Sequence, residues 1–322
     1  MNKNLKQSLI GILIGAIFLF LTLRNKPFAS IWESISKSDL GWIGLNGLLL
    51  ITVFILRGLR WKVLLENTGE HPKRNNVIYS LIMGYFVNSF TPKLGEVIRC
   101  TSLSKNSKIP LPKSFGSVVI ERIWDILILG TGLIIISLIE IDRLGGILIL
   151  IGQYIGSLIS GSYLILIAFI IAIAAVIGLS YKFVLRSAFA KKIEAFIIEI
   201  IQTVKMTFKI KHYKKFLLLT SLIWISLILM NYTALKALPE MGNYTLYFAT
   251  VILFVGGIGW ALPSPGGIGT THFFILQIFI VFGLQENAGI AYGILSNGLT
   301  FVFTLIIGLL AIGFQTFIKQ KQ

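Results

Sequence analysis

The sequence predicts an all-α polytopic membrane protein with six spanning helices and two re-entrant broken hairpins. Three observations lead there. Hydrophobic residues make up 55% of the chain and charged residues 13%, against ~25% charged in a soluble domain. With a mean hydropathy of +0.85, the apolar surplus calls for lipid rather than a larger core. Apolar runs such as residues 10–23 and 163–179 approach the ~20 residues that cross a bilayer. The lysines and arginines gather between these runs, as cytoplasmic loops require.

That placement also disposes of a nucleic-acid reading of the +16 net charge, because the basic residues are spread between apolar segments rather than along one face. Cys100 is the only cysteine, so there is no disulfide framework. His71, His212 and His272 share no ligand spacing, and no metal site or cofactor is expected. Lys3 and Lys6 before an apolar run suggest a signal peptide, but Arg24-Asn25-Lys26-Pro27 follows instead of a small-residue cleavage site. The run reads as a retained first helix.

Charge bias orients the segments. Helix one, residues 8–23, leaves a cytoplasmic N-terminus, and helix two, residues 40–56, returns to Arg57, Arg60, Lys62, Lys73 and Arg74. Residues 77–90 are apolar but short, meet Thr91-Pro92, and run into a stretch with Glu96 and Arg99 before Lys105, Lys108 and Lys113. A single crossing would put that basic loop outside, so a hairpin that turns at Pro92 fits better. Helix three spans residues 117–139, an external connection covers 140–160, and helix four covers 162–179. Residues 181–215 carry nine lysines and arginines and form an inside loop. Helix five covers 216–235. Residues 244–260 and 270–282 flank Pro263-Ser264-Pro265-Gly266-Gly267-Ile268-Gly269, and helix six covers 288–314 before an inside C-terminus.

Charge alone leaves residues 244–282 open between two crossings and a second hairpin. An internal repeat favours the hairpin. Phe28, Ile31, Trp32 and Ile35 share the spacing of Ile193, Phe196, Ile197 and Ile200, one apolar helical face in each half, suited to lie on the membrane surface. The single membrane domain then divides into repeats 1–139 and 162–315 of opposite orientation, as in transporters with broken helices near the midplane.

Four constellations could carry chemistry. In the first, Pro92 breaks the backbone between Asn88 and Glu96-Val97-Ile98-Arg99. Glu96 and Arg99 share a face and can pair. Either the break offers Arg99 to a phosphate inside the membrane, or it starts a cytoplasmic helix with a surface ion pair. In the second, Glu121 and Asp125 stand four apart around Arg122. Either Arg122 holds an anionic head group that the carboxylates orient, or the three charges sit at headgroup level. In the third, Pro263, Pro265, Gly266, Gly267 and Gly269 end a helix, and the next helix starts at Thr270. Its N-terminus would offer backbone amides to an anion. The plainer reading is a loop. A Walker phosphate loop is excluded, since no Gly-Lys-Ser/Thr follows. In the fourth, Arg57-Gly58-Leu59-Arg60-Trp61-Lys62 reads as a headgroup anchor.

Together, Leu56-Arg57-Gly58-Leu59-Arg60-Trp61, the run from Asn88 through Pro92 and Gly95-Glu96 to Arg99, Glu121-Arg122 with Asp125, and Pro263 through Gly269 resemble the lysylphosphatidylglycerol synthase transmembrane-region family, the flippase-like domain of MprF-type proteins. The resemblance implies lipid handling. His272 stands where the family often has an acidic residue. The soluble aminoacyl-transferase domain of full MprF-type proteins has no counterpart in these residues, so synthase activity is not expected. The reading is a flippase-like protein of the cell membrane that handles an anionic phospholipid or a polyprenyl-phosphate-linked lipid. Arg99, Arg122, Gly266, Gly267, Gly269 and Thr270 would hold the phosphate, and Asn88, Glu96, Glu121 and Asp125 would orient the arginines. The alternative is a membrane subunit or embedded transferase in lipid-linked glycan or aminoacyl-phospholipid synthesis. Membrane lipid is the expected partner, with a glycosyltransferase or aminoacyl-transferase as a possible second one and no nucleic acid.

Overall fold

The computed structural model describes residues 3–24, 26–91, 94–143, 209–262 and 264–320. The chain forms two compact units, Met1–Leu133 with Ile210–Gln322, and Ile134–Lys209. Of the second, the described part is the end of one helix and the residues after it, where Arg143 Nε lies 2.9 Å from Glu140. Helix four and the second surface connector of the sequence reading fall outside the described residues.

The regular structure of the described residues is all helical: α1 Lys3–Leu23, α2 Phe28–Ser36, α3 Leu40–Asn67, α4 Arg74–Asn88, α5 Gly95–Ser107, α6 Leu111–Ile139, α7 Tyr213–Ala237, α8 Leu246–Ala261, α9 Thr270–Val281 and α10 Glu286–Gln320. Four segments are long and apolar enough to cross a membrane: Leu40–Asn67, Leu111–Ile139, Tyr213–Ala237 and Glu286–Thr316. Shorter apolar helices accompany them. This is a multi-pass membrane protein.

Two helices are longer than the apolar runs that announced them. Asp39 caps α3, accepting from the amides of Gly41 (2.7 Å) and Trp42 (3.2 Å). The helix then continues past Leu56 to Asn67, because arginine, lysine and glutamate end an apolar run without ending a helix. α6 begins at Leu111 rather than near residue 117. Pro112 stands in its first turn, where no amide donor is needed.

α3 and α7 run antiparallel. The Asp39 amide donates to the Ala237 carbonyl at 2.8 Å, and Asn46 donates to the Met230 carbonyl (2.7 Å) and the Thr233 hydroxyl (2.9 Å). At the far end Val63 and Leu64 pack with Ile210, Phe216 and Leu219. Leu50, Val53, Phe54 and Trp61 of α3 form a core with Met230 of α7 and with Val77, Leu81, Cys100 and Leu103.

α4 and α5 form a helical hairpin, α4 ending at Asn88 and α5 starting at Gly95. Asn88 Oδ1 accepts the Gly95 amide at 2.7 Å, closing the turn. Farther along, the Ser80 and Ser102 hydroxyls meet at 3.1 Å, and Asn76 donates to the Asn106 carbonyl at 3.0 Å. The contacts recede from the turn in step, so the helices are antiparallel. They touch backbone to backbone: a Cβ on Gly95 would overlap the Gly84 carbonyl.

α8 and α9 form a second hairpin. Gly259 lies against the backbone of Thr271, and Phe248 meets Phe279 edge-on at 5.3 Å. The turn holds Gly266, Gly267 and Gly269 at positive φ, 55°, 72° and 85°, conformations that side-chain-bearing residues rarely adopt. α1 covers this turn, with Phe18 on Phe273 at 5.1 Å and Gly15 against Gly269. On α2 the four-residue apolar face splits: Ile31 is buried and Ile35 half-buried, while Phe28 and Trp32 face outward.

Candidate functional site

The two hairpin turns meet. Gly266 lies against Ser89, and a Cβ there would stand 3.7 Å from the Ser89 carbonyl oxygen. The same first hairpin carries the charged residues. Gly84 adjoins the Arg99 Cβ, and Ser89 follows roughly 7.5 Å farther along α4.

Around Arg99 a buried charge cluster joins α3, α5 and α6. Glu121 and Arg60 are 0% exposed and Arg99 is 3% exposed. Arg99 grips Glu121 with both terminal nitrogens, at 3.3 and 3.0 Å. Arg60 grips Asp125 in the same way, at 2.8 and 3.2 Å, and reaches Glu121 at 3.4 Å. Such forked pairs are the strongest charge-assisted hydrogen bonds, and they offset the several kcal/mol each buried ion loses in desolvation. Arg57 donates to the Tyr85 hydroxyl at 2.8 Å and lies 3.5 Å from Asp125. Arg122 reaches Glu121 (3.2 Å), Glu96 (3.2 Å) and Asp125 (3.7 Å). The Arg99 guanidinium sits 4.0 Å above the Trp61 ring, a cation–π contact, and the indole donates to Ser117 at 2.8 Å.

The helical spacing builds this arrangement. Arg57 and Arg60 on α3, and Glu121 and Asp125 on α6, each present one face at i, i+3 or i, i+4, so two rungs of opposite charge match. Gly58 between the arginines has no side chain and packs onto Ile78 of α4, which helps bring Tyr85 into reach. Arg122 points off that face and forms the edge of the cluster with Glu96, 35% and 38% exposed.

Two sequence readings change. Glu96 and Arg99 do not pair with each other as their spacing suggested; each crosses to α6, Glu96 to Arg122 and Arg99 to Glu121. Arg57 and Arg60 do not serve as headgroup anchors, and Trp61 is fully buried beside them. The signal was available in the complementary spacing of the two arginines and the two acids. It was hidden because the tryptophan–arginine signature also fits an interface anchor.

At the second turn Pro265 opens a single 3-10 turn, Pro265–Gly267. Pro92 and Pro263 lie outside the described residues. The Gly267 amide donates to the Ser264 carbonyl (3.3 Å) and the Ile268 amide to the Pro265 carbonyl (3.0 Å). The Gly269 amide donates to His272 Nδ1 at 3.3 Å, and Asn297 lies 3.3 Å from the same nitrogen. The buried Thr270 hydroxyl donates to the Gly259 carbonyl at 2.8 Å and meets Ser264 at 2.7 Å. In this conformation the amides of Gly267, Ile268 and Gly269 are taken up by acceptors within the hairpin. Among the described residues no three His, Cys, Asp or Glu side chains gather as metal ligands.

Comparison with known proteins gives the setting. A UPF0104 membrane protein of Pyrococcus horikoshii is 22% identical over 92% of this chain and 94% of its own length. Another, from Methanocaldococcus jannaschii, is 27% identical over 39% of this chain and 38% of its own length. The glycosyltransferase AglD of Haloferax volcanii is 24% identical over 42% of this chain, which is 22% of that protein. The chain thus spans well under half the length of two of these relatives. No solved structure matches. Residues 8–308 match the family described as the lysylphosphatidylglycerol synthase TM region, and the chain belongs to that family.

Proposed function

We propose that this protein is a flippase-like translocator of a lipid with an anionic phosphate head group. One observation carries the reading: four arginines and three carboxylates are drawn together inside a bundle of membrane helices, beside the meeting point of two broken hairpins. Charge inside a membrane protein is costly and usually functional. Broken helices meeting inside a bundle are the common architecture of transporter sites.

In this reading the head group first meets Arg122, the half-exposed arginine. Glu96, Glu121 and Asp125 hold the four guanidinium groups in place. Arg99 reaches a phosphate only when Glu121 lets go, so passage is an exchange of one anion for another. Phosphate bound across Gly266, Gly267, Gly269 and Thr270 likewise displaces the internal acceptors of the Gly267 and Gly269 amides, so the turn reopens during transport. The arrangement of six crossings, both hairpins re-entrant, with both termini cytoplasmic and repeats 1–139 and 162–315, belongs to the same proposal. It is supported by a recurring order: α3, hairpin, α6 in one half, and α7, hairpin, α10 in the other.

Purified protein in liposomes tests this. Arg122→Gln and Arg57→Gln should each slow the movement of fluorescent phosphatidylglycerol by roughly tenfold, one charge contact of ~1.4 kcal/mol. Wild type and both variants moving it equally would end the proposal. A second reading, a membrane subunit serving a transferase, is favoured by the match to a relative named as a glycosyltransferase. Product made from a lipid acceptor only when the protein and a soluble transferase are combined would support it.

A further inference from the structure

The charge cluster is unbalanced. Arg57, Arg60, Arg99 and Arg122 face Glu96, Glu121 and Asp125, which leaves one positive charge in excess among the described residues. The guanidinium donors are in excess as well. The Nε–H groups of Arg60, Arg99 and Arg122 are buried with no hydrogen-bond acceptor, although Arg122 Nε is within 3.2 Å of Glu96 as an ion pair. Unsatisfied buried donors on charged groups are expensive, and one anion at the exposed edge of the cluster would relieve the charge imbalance.

The accessible edge of the cluster tells where that anion comes from. Glu96 and Arg122 are its most exposed members. Ile126, one turn on from Arg122 on the same face of α6, is exposed and apolar, and the exposed Val97 and Ile98 follow Glu96 on α5. The edge is thus bordered by exposed apolar side chains, a surface that suits an anion carrying an apolar tail.

Resting on the lipid-handling reading above, we infer that the cluster selects a lipid head group with a single negative charge, a phosphodiester, at the partly exposed edge formed by the Glu96–Arg122 pair. A zwitterionic head group leaves the excess charge in place. A phosphomonoester, which carries up to two negative charges, overshoots it. Removing the carboxylate at the edge should move the optimum: Glu96→Gln raises the excess to two and favours the phosphomonoester.

Binding is measured on the full chain in detergent, by native mass spectrometry against phosphatidylcholine, phosphatidylglycerol and phosphatidic acid, with inorganic phosphate in a separate arm. Wild type should retain phosphatidylglycerol roughly tenfold better than phosphatidylcholine, and inorganic phosphate should not compete at equal concentration. Arg122→Gln should abolish the preference. Glu96→Gln should shift it roughly tenfold toward phosphatidic acid. Both substitutions lie at the partly exposed edge, and unchanged helix content by circular dichroism controls for folding. Equal retention of the three lipids by wild type, the same order of preference in Glu96→Gln, or competition by inorganic phosphate would each overturn the inference. Binding is read separately from transport. Charge-selective binding without lipid movement would refute the translocator and leave this inference standing. Movement without charge selectivity would do the reverse.

Discussion

Glu121 sits between Arg60, Arg99 and Arg122 and is fully enclosed. It is the residue whose loss leaves the most charge uncompensated. Glu121→Gln keeps the shape and removes the charge, so three guanidinium groups lose an anionic partner. Breaking one buried pair typically costs about 3–5 kcal/mol. The variant should lose at least that much stability in a denaturant titration, or fail to accumulate in membranes. A loss below about 1 kcal/mol, the range of an exposed pair, would show that the cluster is solvated. Arg60→Lys is a subtler test. Lysine keeps the charge but cannot fork across both Asp125 oxygens, so it should destabilise less than Arg60→Gln, in the same titration. Much of this site was legible in the sequence, but not its pairing. The residue types at 96, 99, 121, 122 and 125 pointed to a charged cluster, either inside the bundle or at headgroup level. Spacing within one helix reports only neighbours on that helix, however, and the partners here come from other helices.

The two hairpins are the elements that bring the site together. The first rests on the contact between Gly84 and Gly95, where no side chain fits. In a Cys100→Ser background, Ser80→Cys with Ser102→Cys should form a disulfide on mild oxidation, because the two hydroxyls already meet at 3.1 Å. Adding Gly95→Val should block the cross-link by forcing the helices apart, as gel mobility would show. Cross-linking that survives Gly95→Val would mean that the helices approach elsewhere. Both breaks were legible in Pro92 and the Pro263–Gly269 run, since proline and glycine act on the local backbone. That the breaks would meet was expected only by comparison with inverted-repeat transporters, since neither run reports on the other. That contact depends on α1 and α10 packing around them, with Phe18 on Phe273 and Phe90 on Phe301, and long-range packing leaves no periodic trace.

For the whole molecule, the fold class followed from composition, because apolar runs of bilayer length have few alternatives. The proposed topology follows from charge bias and is open to direct test. A membrane-impermeant maleimide should label Lys37→Cys, an exposed position, in intact cells and Lys211→Cys only after permeabilisation, again in a Cys100→Ser background. The opposite pattern would invert the orientation. The same chemistry reaches the central claim. Ser89→Cys with Gly266→Cys places two thiols at the contact between the hairpin turns, where a Cβ on Gly266 would lie 4.0 Å from the Ser89 Cα. In proteoliposomes of that variant, the movement of fluorescent phosphatidylglycerol should fall to the protein-free rate on oxidation and recover on reduction. Equal movement in the cross-linked and reduced states would contradict a lipid path that opens where the two turns meet.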